Sequence, residues 1–569
     1  MAETQQSGDF SAWNPGIEPE IPPDYRELET IYAPPNVFTT FDQIKRLVAE
    51  TGLKPLDLVN FRPHRLALHE LIVRVTADIV VVEGEAEEDL GINFRAITHH
   101  IFDAYVAPRM GEIEQEYQQF SRRIVQLVEQ HLAQAIAQLT PPKAPPPSLW
   151  QRLTGTKPKP VGSDKTREER EFELVEQLKS RGLASPDQIE SAVLRSLHKV
   201  LAAVYTKRGF IGNDRDYLAQ ICVLHACNYL AGRRIGQLVG EWVDAAIEAE
   251  GYRLIADASR PVLISLKGAS ASGKSHLRPM MRSLLADLGI EDGDYGTISP
   301  DIWRKLLLDY AQLGASYKYA GRFTSHEVSV IDARLDRYIR AKADAHRSIP
   351  HLVVDRFRFD SFASDKIARV LHKTYVRYID TLYMYFVITR PEDTVERGWQ
   401  RGLERGRYKA VEDYLGHCVE AYSGMPKLLF KWIAYDRPRF IFEFLDNSVP
   451  KGTYPNPVAR GTQGSMQIFE PARLLDIERF QRIDIHATTA EAVAAGANQV
   501  TLKNSVDFLR QCIRRIARVD FVDRDTEQVY LAARSAVFEI VDQSLFEAKL
   551  ADPTLRQIIT ELAPELPAE

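Results

Sequence analysis

Cysteine is scarce, with four in 569 residues: Cys222, Cys227, Cys418 and Cys512. So thin a scatter excludes a disulfide framework and fits a reducing compartment, so a cytoplasmic location is expected. A strong excess of either charge is also missing. A net charge of -6 from 72 basic and 78 acidic residues leaves no basic footprint for a phosphate backbone, so no nucleic-acid partner is expected. No apolar run reaches membrane-spanning length, and the opening MAETQQSGDFSAWNPGIEPEIPPDY lacks the basic-then-apolar pattern of a secretory signal, so no membrane partner is expected either. Internal repeats are absent. A metal-binding pattern is nearly so, because Cys222, His225 and Cys227 lie in the apolar run QICVLHACNYLAG without a fourth ligand and read as a buried helix face.

What is present divides by composition. A chain of this length outgrows one hydrophobic core. Residues 1–140 read as a mostly helical N-terminal domain behind a disordered leader, and 141–170, rich in proline and charge, as a linker. Residues 171–258 read as helices packing on the domain that follows. From 259 to about 500 the period changes, and PVLISL, DYGTIS, HLVVD, YMYFVIT and FIFEFLDN alternate with helical stretches. That alternation predicts an α/β domain with a parallel sheet flanked by helices. Residues 501–569 read as a C-terminal helical segment, through VDFLRQCIRRIARV and QVYLAARSAVFEIVDQSLFEAKL.

The chemistry is carried first by GASASGKS, which matches G-x-x-x-x-G-K-[ST] between the strand PVLISL and the helical run HLRPMMRSLLADL. Small residues let backbone N–H groups curl around phosphate oxygens, and the helix start adds a favourable dipole. The nucleotide-binding set is therefore Gly268, Ala269, Ser270, Ala271, Ser272, Gly273, Lys274 and Ser275, with His276 next in line. Lys274 would reach the outer phosphates and Ser275 would coordinate Mg²⁺. Pro279, early in the helix, is expected to kink or restart it.

Three further elements follow in chain order. HLVVDRF ends a buried strand in Asp355, placed to share the Mg²⁺ shell, a reading that the upstream phosphate-loop motif favours over a surface aspartate capping a strand. ISPDIWRK offers Asp301 as the group that takes a proton from an attacking hydroxyl, although Ser299 and Pro300 also read as a helix start. TRPEDTVERGWQRGLERGRYK puts Arg397, Arg401 and Arg405 on one helical face, with Arg407 beyond a glycine on a loop. Such arginines stabilise charge on a transferred phosphoryl group, or form a solvated face neutralised by Glu392, Glu396 and Glu404.

Taken together, GASASGKS, ISPDIWRK, LVVDRF, the arginine-rich segment and FLDNS resemble the zeta toxin group of P-loop kinases, over about 263–448. The resemblance implies a P-loop NTPase-type sheet and transfer of the ATP γ-phosphate to a small hydroxyl acceptor, which is UDP-N-acetylglucosamine in the best-known toxins. It also implies Asp301 as base, Lys274 as phosphate lysine, and Arg401 and Arg407 as the lid arginines, with Arg397 a rival for the first. Asp355 stands where such toxins commonly have a glutamate, with Arg356 and Phe357 where small residues follow, so the acceptor is left open. Lys318, Arg322, His326 and Glu327 are the polar candidates for its recognition. The expected cofactors are ATP and Mg²⁺. A GTPase is disfavoured because no N-K-x-D clamp follows downstream. The competing reading is a nucleotide-gated interaction protein whose N-terminal helical region carries the function. A protein inhibitor, or inhibition by the N-terminal helices themselves, is compatible with either.

Overall fold

The computed structural model describes residues 10–86, 88–139, 165–356, 377–450 and 452–566. Phe357 and most of the expected 141–170 linker lie outside them. The chain forms two compact units that interleave in sequence: Met1–Pro23, Val73–Ile97 and Gly251–Glu569 make one, and Asp24–Ile72 with Thr98–Glu250 make the other. This partition differs from the linear one read from composition.

The second unit is helical. In its helix Met110–Leu139, the residues Ile113, Phe120, Ile124, Val128 and Leu132 recur at helical spacing and are buried. The helix Gln188–Arg208 starts where Asp187 accepts from the backbone N–H groups of Ile189 and Glu190, and stops at Gly209 in the left-handed conformation. The long helix Arg215–Glu250 buries Cys222, His225 and Cys227. His225 Nδ1 lies 2.9 Å from Ser196 Oγ, and burial depresses its pKa to about 4, as for a neutral core histidine.

The first unit is built on a mixed sheet. All five strands expected from the apolar runs are present: β1 (Val262–Gly268), β2 (Tyr295–Ile298), β3 (His351–Val354), β4 (Thr381–Ile388) and β5 (Arg439–Asp446). They pair in parallel in the order β2-β3-β1-β4-β5, with Leu263 in register with both Leu352 and Leu382. Every residue of β1 is buried, as a parallel strand covered on both faces requires. Ile264 and Leu266 pack with Leu277, Met281 and Leu285 from the helical turns after β1.

The sheet continues through β6 (Asn456–Thr462), β7 (Ser465–Ile468), β8 (Arg518–Val522), β9 (Val529–Arg534) and β10 (Val537–Ile540). The last three correct the expectation of an all-helical 501–569. Helix Asp507–Arg515 ends before β8, and the run QVYLAARSAVFEIV is a hairpin. Its two-residue turn places Ser535 and Ala536 at φ 51° and 64°, a left-handed pair usually supplied by Asn-Gly. Without that cue, the alanine-rich strand reads as helix. The leader is corrected too: from residue 10 it is placed, with Ala12 and Ile21 buried.

Candidate active site

The chain leaves β1 for β2 on one side, beyond β3, and returns from β3 to β4 on the other. Order therefore reverses around β1, and the crevice outside the strands' carboxyl ends at such a point is where open α/β sheets hold ligands. A cavity of about 1190 Å³ opens there. Ser270, Ala271, Gly273, Lys274, Ser275, His276, Asp301, Asp355, Arg397, Arg401 and Arg407 all line it, whereas Gly268, Ala269 and Ser272 lie beneath.

The loop Gly268–Ser275 needs its glycines for close approach. A Cβ on Gly268 would sit 2.6 Å from Ser272 Oγ, and one on Gly273 would sit 2.2 Å from Asn447 Nδ2. Gly273 also has φ 87°. The loop is tied from two other strand ends: Asn447, after β5, donates to the Ser272 carbonyl at 2.7 Å, and Thr389, after β4, donates to the same oxygen at 3.1 Å. Lys274 Nζ donates to the loop carbonyls of Gly268 at 3.0 Å and Ala269 at 2.7 Å. Burial lowers its pKa, against the opposing pull of Asp355 and Asp301. Ser275 and His276 lie in the 3-10 turn Lys274–Leu277, after which the helix Arg278–Asp287 begins with Pro279 in its first turn. The proline thus restarts the helix where no backbone donor is needed.

Asp301 follows β2 in the 3-10 turn Pro300–Trp303. Ser299 occupies the capping position, but its hydroxyl does not cap and accepts from Arg278 at 3.3 Å. The Asp301 carboxylate accepts from Arg304 Nε at 2.9 Å and lies 2.5 Å from Arg407 and 3.7 Å from Arg401. Desolvation within the cleft acts to raise its pKa. The guanidiniums of Arg407 and Arg304 outweigh that and hold the carboxyl well below its usual range.

The three arginines expected on one helical face separate to different partners. Arg397 donates to the carbonyls of Asn447 and Val449, both at 2.8 Å, while Arg405 reaches Glu88 at 3.1 Å. Only Arg401 joins Arg407 at Asp301. Asp355 stands at the end of β3, its N–H donating to Ile298 at 2.9 Å. Of the four acceptor candidates, Arg322 alone lines the cavity, gripped by Asp413 at 2.6 and 3.2 Å. Lys318 donates instead to the Pro15 carbonyl at 2.8 Å, Glu327 is buried and His326 is exposed.

Lys409 and His417 also line the cavity and were not singled out from sequence. Lys409 ends the arginine-rich run RGRYK, the one signal that would have found it. Asn447 lies in the FLDNS run, but nothing in that run says which loop it ties.

No family model matches the chain, and no curated protein matches it in sequence. Among solved structures, a chain of the AvrRxo1-ORF1:-ORF2 complex is similar over 65% of this chain and 93% of that one, at 14% identity and a TM-score of 0.26. Likeness at that level is too slight to carry fold or function from one chain to the other. No helix among the described residues is long and apolar enough to cross a membrane.

Proposed function

We propose that this cleft binds Mg-ATP and transfers the γ-phosphoryl group to a hydroxyl of a small molecule, which makes the protein a zeta toxin-like P-loop kinase. One observation carries the reading: Lys274, Asp301, Asp355, Arg401 and Arg407, read from separate motifs, border one cavity at the carboxyl ends of the parallel strands.

In this reading the backbone N–H groups of Gly268–Ser275 and the Lys274 ammonium bind the β- and γ-phosphates. Ser275 and Asp355 both face the cavity and offer hard oxygen donors suited to Mg²⁺, which favours a carboxylate, substrate phosphates and retained waters. Among the described residues no cluster of three or more His, Cys, Asp or Glu side chains makes a self-sufficient metal site. The cation would therefore be held jointly with phosphate and would neutralise charge there.

The acceptor oxygen bonds to the γ-phosphorus, the bond to the β-γ bridging oxygen breaks, and ADP leaves. The hydroxyl proton passes to Asp301. A carboxylate held so acidic is a weak base, but a loose phosphoryl-transfer transition state asks mainly for positioning, with the proton moving late. Arg401 and Arg407 supply charge to the equatorial oxygens. As they move from Asp301 to phosphate, the carboxylate keeps Arg304 but loses two cationic neighbours, and its basicity rises.

The test is turnover of ATP with candidate small alcohols and nucleotide derivatives, followed by mass measurement of the product. A product heavier by one phosphoryl group, formed by the native chain and about 10²- to 10⁴-fold more slowly by Asp301→Ala, is expected. Unchanged turnover in Asp301→Ala removes the assigned base.

A further inference from the structure

Lys409 lies just beyond the helix Pro391–Arg405 and before Val411–Ile433, yet its side chain turns back to the phosphate loop. Its Nζ donates to Ser270 Oγ at 2.9 Å, stands 3.4 Å from His417 Nδ1 and lies 5.9 Å from the Tyr414 ring centre. Burial pushes the His417 pKa well below its usual value, assisted by Lys409, Lys274 and Arg322, so the ring is neutral. Among the charges facing Lys409, Asp301 and Asp413 favour the ammonium, and Arg304 and Arg407 oppose it. Both carboxylates are already engaged by guanidiniums, Asp301 by Arg304 and Arg407, and Asp413 by Arg322. The ammonium thus borders the cavity in contact with the loop that would hold a polyphosphate.

We propose that Lys409 is a second phosphate-binding ammonium, carried by the arginine-rich segment, which exchanges Ser270 Oγ for a phosphate oxygen when nucleotide binds. The inference rests on reading the cavity as a nucleotide site. It assigns to this segment a latch on the phosphate loop besides its arginines, so binding of the phosphates and closure of the segment are one event.

The contact is pH-dependent by construction. Burial brings the Lys409 pKa down to about 7, with Asp301 and Asp413 opposing and Arg304 and Arg407 assisting. Bound phosphate raises it again. Affinity is therefore full below about pH 7 and falls as pH rises through that value, and binding above it takes up a proton.

The experiment is calorimetric titration of the full chain with Mg and a non-hydrolysable ATP analogue from pH 6 to 9, in buffers of different ionisation enthalpy. The native chain should bind more weakly as pH rises, with proton uptake near pH 8. Lys409→Met should bind about tenfold to hundredfold more weakly at pH 6.5 and lose the uptake. Lys409→Arg, permanently charged, should keep its affinity and show a flat profile. Ionisation of the nucleotide itself is common to all variants and cancels. Lys274→Ala separates the two readings. If the native chain binds and Lys274→Ala does not, while both Lys409 variants match the native affinity and proton count, only the Lys409 inference is overturned. If the native chain shows no binding, the nucleotide reading falls, and this inference with it. Should Lys409→Met fail to fold, native proton uptake and the Lys409→Arg profile decide alone.

Discussion

The carboxylate of Asp301 lies 2.5 Å from the Arg407 guanidinium, so the group assigned as base and a group assigned to the transferred phosphate hold each other. Arg401 approaches the same oxygen at 3.7 Å. A phosphoryl group entering between them would compete for both arginines and release the carboxylate toward the acceptor. In the proposed reading the pair is a resting arrangement whose opening is coupled to nucleotide arrival.

Arg407→Ala should therefore act twice. Turnover should fall by about 10³-fold or more, the scale of an arginine that stabilises phosphoryl charge. In the same variant the Asp301 pKa should rise toward its ordinary value, read by carboxyl carbon NMR with Asp301→Asn to assign the resonance. A turnover loss without the pKa rise would mean that Arg407 does not hold Asp301 in solution.

The pairing also sets an acid limit. A carboxylate whose folded pKa is depressed adds stability above its unfolded value, near 4, and loses it as pH falls through the folded value. Melting temperature should drop more steeply below about pH 4 in the native chain than in Asp301→Asn. Because the side chain is 47% exposed within the cleft, the difference should be modest. Parallel profiles would show that the pair contributes nothing to the fold.

The loop Gly268–Ser275 offers a sharper test. Gly273→Ala puts a methyl group on a residue at φ 87°, 2.2 Å from Asn447 Nδ2, and should abolish nucleotide binding. Asn447→Ala leaves the Ser272 carbonyl the hydrogen bond from Thr389 and should cost about 0.5–1.5 kcal/mol in unfolding free energy. The double variant removes the clash but keeps the strained backbone, so it should melt close to Asn447→Ala while still failing to bind. Binding restored in the double variant would place the defect in the clash alone.

These residues mark where the sequence stops being legible. The five parallel strands could be read because each is a short apolar run bounded by turns, and GASASGKS because its spacing is local. Asn447, Thr389 and Lys409 act on that loop from 175, 117 and 139 residues away. No periodicity reports such a distance. The face shared by Arg397, Arg401 and Arg405 was legible as a face, but their three destinations depend on what lies opposite: a pair of carbonyls, a carboxylate after β2 and Glu88. The hairpin β9-β10 was hidden because Ser535 and Ala536 fill turn positions that sequence reading expects glycine or asparagine to fill.

The N-terminal segment makes the last prediction. Trp13 donates its indole N–H to Glu396 at 2.9 Å, on the helix that carries Arg397 and Arg401. On the other side, Lys318 donates to the Pro15 carbonyl at 2.8 Å with its ammonium 3.7 Å from the Phe10 ring centre, and Tyr319 accepts from the Glu18 N–H at 3.0 Å. One short strap therefore ties the turn Gly314–Tyr319 to the arginine helix. A hydrogen bond of this kind contributes about 0.5–1.5 kcal/mol net, enough to bias a helix that shifts its arginines in the proposed reading but too little to hold it rigid. Trp13→Phe keeps the ring and removes the donor, and should speed amide exchange across Pro391–Arg405 without lowering the melting temperature. Nucleotide should then dissociate faster while the maximal rate of transfer is little changed, because the arginines themselves are intact. Exchange and dissociation that match the native chain would show that the strap is a surface contact without influence on the site.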